Sequence, residues 1–184
     1  MANDAWLAFS ERVSCDDNLP LECMAIEWPL PAAELRRLAE RNAGVLADIA
    51  AIEERRIEGA DENSPLMQEM MRLDAKLSAL VDMVSRLLQP AGGLPARQPV
   101  KFNAAGAVLP ASLLPDSDAL LLRLYPDICP SLPLELPARV LRQLDDGLVF
   151  VAFAGLGEGA CDALERFVFR LHRRKVAETR QFAS

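Results

Sequence analysis

Histidine is almost missing from this 184-residue chain: His172 is the single one. One imidazole cannot build a metal cluster, and the other standard catalytic sets are missing too. No serine sits in a Gly-x-Ser-x-Gly elbow and no His-Glu-x-x-His occurs. The four cysteines, Cys15, Cys23, Cys129 and Cys161, include no Cys-x-x-Cys pair. With apolar neighbours and no export signal, reduced and buried thiols are expected, a redox pair between Cys15 and Cys23 being the alternative. Positive charge is in deficit, and a net charge of −7 opposes any whole-protein affinity for nucleic acid or an anionic membrane. No apolar run is long enough to span a bilayer, the longest being Leu148 to Gly157, and Met1-Ala-Asn-Asp-Ala-Trp6 lacks a basic segment before an apolar stretch. These absences predict a cytoplasmic protein, not an enzyme, with no cofactor, no metal, no nucleic acid and no membrane insertion.

What is present suffices for a fold. Hydrophobic residues make up 51% and charged ones 26%, enough apolar surface to offset the entropy of ordering the backbone. One domain plus an appendage is expected at this length. The first 30 residues look like strand material, with a turn at Asp16-Asp17-Asn18, and end at Trp28-Pro29-Leu30-Pro31. From Pro31 the period becomes helical, with Leu35, Leu38, Val45, Ile49 and Ile52 on one stripe that stops at Gly59. Asn42 interrupts that stripe; it either sets the register of the helix or stays solvated. Asn63-Ser64-Pro65 opens a second helix, which runs to about Gln89 before Pro90 and Gly92-Gly93 end it. From Arg97 onward the segments 100–102, 119–122, 138–141 and 148–153 read as strands, with Asp145-Asp146-Gly147 a hairpin turn. A helix from about Cys161 closes the chain. The domain division is therefore 1–30 with 97–184 as one barrel-forming unit, and 31–89 as an inserted helical pair.

The second inserted helix carries the most regular pattern. Leu66, Leu73, Leu80 and Leu87 occupy every d position of a heptad, and Met70, Leu77 and Val84 every a. Met67, Val81, Leu88 and Met83 widen the stripe beyond what a two-stranded seam covers. A helix of about 24 residues extends roughly 36 Å, longer than the face of a small barrel, so its far turns would be left uncovered in a lone subunit. Self-association through these leucines is expected, most simply as a tetramer.

Two motifs invite a chemical reading. Gly155-x-Gly157-x-x-Ala160 follows a strand and opens a helix, as a dinucleotide-binding loop does. The few residues that follow supply no second parallel strand and no acidic ribose partner, so the glycines are expected to form a plain turn. The cations Arg166, Arg170, Arg173, Arg174, Lys175 and Arg180 could hold phosphates. They also suit the C-terminal end of a solvated helix whose apolar face is Leu164, Phe167, Val168 and Leu171. The acidic pairs Asp16-Asp17, Asp116/Asp118 and Asp145-Asp146 fall where turns are expected.

With strands on either side of a helical insertion, the loop Lys-Phe-Asn-Ala-Ala-Gly-Ala at 101–107 and the closing Leu148-Val-Phe-Val-Ala-Phe strand and Leu164-Glu-Arg-Phe-Val-Phe-Arg-Leu helix, the chain resembles a PilZ domain over 1–30 and 97–184. The resemblance implies an α+β fold: a small antiparallel β-barrel, here interrupted by two long helices and followed by a C-terminal helix. PilZ domains commonly receive cyclic di-GMP through an Arg-x-x-x-Arg arm and an Asp/Asn-x-Ser-x-x-Gly strand. The arm matches only at Arg12, with Asp16 in place of the second arginine. Aligning Gly106 with the family glycine puts Lys101 and Asn103 at the acidic and serine positions, while starting from Asn103 leaves Ala105 and Val108 at serine and glycine. A carboxylate at the second arm position repels phosphate, so direct binding is expected to be weak or absent. The resemblance then implies an adaptor for another signalling protein in cyclic di-GMP-linked motility, pilus or virulence pathways. The alternative is a direct receptor with non-standard binding residues.

Overall fold

The computed structural model of the chain describes residues 2–58, 69, 72–73, 75–77, 80 and 93–182. Six strands close a barrel: β1 (Cys15–Ala25), β2 (Arg97–Asn103), β3 (Gly106–Pro110), β4 (Ala119–Leu124), β5 (Leu134–Gln143) and β6 (Leu148–Phe153), in the spatial order β1-β2-β3-β6-β5-β4. Every pairing is antiparallel. The long β1 closes the ring because its first half pairs with β2 and its second half with β4. Helices with described bounds that accompany the barrel are α1 (Ala2–Ser10), α2 (Ala32–Glu58) and α3 (Gly157–Phe182). The expected α+β barrel with long helices is thus the observed fold.

The barrel interior is filled by alternate strand residues, with Phe102, Leu109, Leu120, Leu122, Leu124 and Val151 fully buried. One continuous core extends from there to α2 through Val45, Leu46 and Ile49, and to α3 through Leu164, Phe167, Val168 and Leu171. The four α3 residues expected to form its docking face are all buried. Its basic end is less solvated than expected. Arg170 Nε donates to Glu53 Oε2 of α2 at 2.5 Å, and Lys175 pairs with Asp17 at 2.9 Å and also donates to the Asp16 carbonyl.

Several expectations need correction. Residues 2–10 form a helix rather than strand: Trp6 and Phe9, one helical turn apart, both reach Phe150 at ring-centroid distances of 5.2 and 5.1 Å. Asp16-Asp17-Asn18 is not a turn but lies inside β1, where Asp16 stands opposite Lys101 and the Lys175 ammonium compensates Asp17. The loop expected at 101–107 is a hairpin, with Ala104-Ala105 as its turn between β2 and β3. α3 begins at Gly157, four residues before the expected start.

Asn42 is neither solvated nor, among the described residues, set against another helix. At 1% exposure it donates to the Glu135 carbonyl and accepts from the Glu135 N–H, both at 2.8 Å. The β6 register with β5 reaches only Ala138, so the Glu135 backbone has no strand partner on that side, and the Asn42 amide takes the place of one. The Glu135 carboxylate, also buried, is held by Arg41 at 2.8 Å and Arg123 at 3.0 Å. This network fixes α2 on the barrel.

The Asp145-Asp146-Gly147 turn forms as expected, with Asp146 at φ 62° and Gly147 at φ 70°. Gly155, at φ 68°, makes the strand-to-helix turn, and a Cβ there would lie 2.6 Å from the Leu35 side chain that packs over it. The glycine pattern is therefore a turn that also lets α2 approach.

Cys15 and Cys129 are buried, Cys23 and Cys161 half-buried, and all four thiols are free. Cys15 and Cys23 lie eight residues apart on the single strand β1, roughly 26 Å at ~3.3 Å per residue, beyond the reach of a disulfide. Burial pushes both thiols from 9.0 up to about 11, helped by Asp17 at Cys15 and Glu22 at Cys23. Thiols so protonated are poor nucleophiles at neutral pH.

Of the leucine repeat, Leu66, Met70, Val84 and Leu87 lie outside the described residues, as do Met67, Val81, Met83 and Leu88. Leu73, Leu77 and Leu80 are helical and 52%, 54% and 56% exposed. No helix among the described residues is long and apolar enough to cross a membrane.

Candidate functional site

The four motif positions named from the sequence do not form one site. Arg12 follows α1 and lies at the rim of a hollow of about 460 Å³ between the α1–β1 loop, the end of β2 and α3. Asn103 and Ala104 line the same hollow, opposite Glu165, Phe169 and Arg170 of α3. Asp16 instead borders a second hollow, of about 600 Å³, shared with Lys101, His172 and Lys175. Gly106 lines neither.

Three of the four, Arg12, Asn103 and Gly106, have structural work that accounts for them. The Arg12 guanidinium donates to Glu165 Oε1 at 2.7 Å, an exposed pair that ties the loop after α1 to α3. Asn103 is 1% exposed. Its Nδ2 donates to the Phe9 carbonyl at the end of α1 and its Oδ1 accepts from the Ala105 N–H, both at 2.8 Å. The first bond caps a helix end and the second closes the β2–β3 turn, so the amide's acceptor and one donor are already engaged. Gly106 sits where β3 crosses close to β6. A Cβ there would lie 2.3 Å from the Val151 carbonyl oxygen and 2.8 Å from the Phe150 ring. The glycine is therefore required by sterics at the barrel wall, without any ligand. Gly106→Ala is expected to destabilise the fold by about 3 kcal/mol, because backbone rather than a mobile side chain must give way. An unchanged urea midpoint would contradict that reading.

Sequence reasoning missed Phe169 and Val13, which stay 52% and 51% exposed on the first hollow. The signal was available for Phe169. On a helix whose buried positions are Leu164, Phe167, Val168 and Leu171, residue 169 points away from the core. Arg173 lies over its ring at 6.0 Å. Arg166, also exposed on this hollow, has no partner among the described residues. No group of three His, Cys, Asp or Glu side chains placed to hold a metal occurs among the described residues.

What the arrangement offers chemically is recognition. Arginine forks beside an aromatic face bind anions and flat or apolar groups, and among the described residues the hollow presents no nucleophile activated by a base.

A family model described as atypical PilZ domain, cyclic di-GMP receptor, matches residues 46–181. A solved structure of a pathogenic protein from Xanthomonas campestris is similar to the chain at 30% sequence identity and a TM-score of 0.70, covering 96% of this chain and 97% of that one. That protein is described as a new tetrameric PilZ domain self-assembled via an unusual helical bundle. No curated protein matches the chain.

Proposed function

Because this chain belongs to the atypical PilZ domain family, we propose that it is a non-enzymatic signalling adaptor that assembles through its heptad helices and binds cyclic di-GMP weakly or not at all. Its setting would be cyclic di-GMP-linked pathways of motility, pilus function or virulence, acting through contact with another signalling protein.

The observation that carries this reading is the state of the motif positions. Two phosphate charges and guanine edges call for a pair of free arginine forks. Here Arg12 is paired with Glu165, and the second position is Asp16, whose carbonyl accepts from Lys175. Asn103 holds the backbone of α1 and of the β2–β3 turn. A ligand would have to displace these contacts before making its own.

Self-assembly rests on Leu73, Leu77 and Leu80, which lie on one helix face and stay more than half exposed in the single chain. The similar protein from Xanthomonas campestris, described as a tetramer built by a helical bundle, supports a tetramer here. The division of the chain into a barrel unit, 1–30 with 97–184, and an assembly unit, 31–89, belongs to the same proposal. α2 would then join the two, docked on the barrel through Asn42 and leading into the bundle.

A second reading is a direct cyclic di-GMP receptor using other cations. The open hollow at Arg12, with Arg166 and Arg170 nearby, and the family's description as a receptor favour it. Titration calorimetry separates the two. The adaptor reading expects no saturable heat with cyclic di-GMP at micromolar protein, and tight stoichiometric uptake lost on Arg12→Ala would establish the receptor instead.

A further inference from the structure

We propose that the hollow between the Arg12 loop and α3 is a docking site for an acidic segment of a partner protein, one that sets an aromatic or aliphatic side chain beside its carboxylates. This rests on the adaptor reading and names the chemistry of the partner.

Three observations converge on such an occupant. The first is apolar surface without cover: Phe169 and Val13 are both more than half exposed on one hollow, while the docking face of α3 is buried. An aromatic ring left outside a packed helix face, held under the Arg173 guanidinium, is a ready partner for an apolar anchor. The second is charge. In a chain of net charge −7, this hollow gathers Arg12, Arg166 and Arg170; Arg12 is paired with Glu165 and Arg170 with Glu53, which leaves Arg166 as the cation unengaged among the described residues. A local positive patch on an acidic protein selects anionic groups while the remaining surface repels them. The third is the presence of Glu165 on the same rim. A phosphate polymer needs a run of uncompensated cations, and a carboxylate among them counts against it. For a peptide whose carboxylate meets Arg166 the same group is harmless, because the Arg12–Glu165 pair need not be broken.

The size of the hollow, about 460 Å³, suits one anchor side chain with its flanking groups. If the protein self-assembles as proposed, each copy displays the site, and a multivalent partner gains avidity without any additional contact.

The test is a display selection from a random peptide library on the intact protein, followed by fluorescence anisotropy with the selected peptides. The expected result is enrichment of Asp and Glu beside aromatic or aliphatic residues. Arg166→Glu and Phe169→Ser should each weaken binding by at least about tenfold, as at a hot spot. Both positions are exposed, so unchanged molar mass and melting temperature would confirm that the variants fold. Arg36→Glu, an exposed change on α2, should leave binding unaltered. Selection of basic or uncharged sequences, or acidic peptides indifferent to both α3 variants, would overturn the assignment. So would a single-stranded RNA that binds the same hollow more tightly than any selected peptide. Saturable heat from cyclic di-GMP overturns the adaptor reading whatever the selection gives, whereas a failed selection without that heat removes only the docking site.

Discussion

Replacing Leu73 or Leu77 by aspartate is expected to turn an assembly of several chains into single subunits while leaving the fold intact. Both side chains are half exposed in the lone chain, so a carboxylate at either position costs little within one subunit. In a bundle the same carboxylate would be buried in an apolar seam and repeated once per chain. An unpaired buried charge costs several kcal/mol, and each leucine removed forfeits about 1.5–3 kcal/mol of burial. The penalty therefore falls on assembly and not on folding. Light-scattering chromatography should report the mass of one chain with the circular dichroism of the native protein. Retained mass would mean that the leucine repeat is not the seam.

Asn42→Leu should have the largest effect on the barrel itself. It removes a buried amide that serves both the N–H and the C=O of Glu135, and leucine offers neither partner. Two backbone groups left unpaired in the interior cost about 1–3 kcal/mol each. For a chain of this size about 2–4 °C is lost per kcal/mol, so a fall in melting temperature on the order of 10 °C is expected. The Glu135 carboxylate should be affected indirectly, because Arg41 approaches it from the same helix. Asn42→Asp provides the discriminating comparison. It retains an acceptor for the Glu135 N–H but, ionised, faces the Glu135 carbonyl with a buried charge and no donor, and should melt no higher than Asn42→Leu. Melting curves that leave Asn42→Leu level with the native protein would show that α2 is not held through this contact.

Much of the fold could be read from residue patterns, for identifiable reasons. The run Leu148–Phe153 is continuous and apolar because β6 is packed between β3 and β5, and Asp145-Asp146-Gly147 announced the turn before it. The face of α3 was legible because Leu164, Phe167, Val168 and Leu171 repeat at helical spacing. α1 was missed because nine residues are too short to display a period, and their Trp and Phe suit strands equally well. Asp16-Asp17 was misread because local turn preference was overruled from a distance, by Lys101 across the sheet and Lys175 on α3. Asn42 stood out as a polar break in an apolar stripe, but its partner, the end of β5, is some 90 positions away and invisible to any local pattern.

The site was legible in part, and for a different reason. Arg12 and Asn103 were picked out by resemblance, and the structure brings them to one hollow; Asp16 and Gly106 it leaves elsewhere. Resemblance marks positions but not their engagements. The contacts to Glu165, Phe9 and Ala105 exist only once the chain has folded. They are what incline the account toward protein contact and away from a nucleotide.

The molar mass of the unaltered protein, measured by sedimentation at low micromolar concentration, bears most directly on this account. It predicts a single species near four times the 20.2 kDa of one chain. A homogeneous species at 20.2 kDa would contradict it, because Leu73, Leu77 and Leu80 would then stay more than half exposed to water.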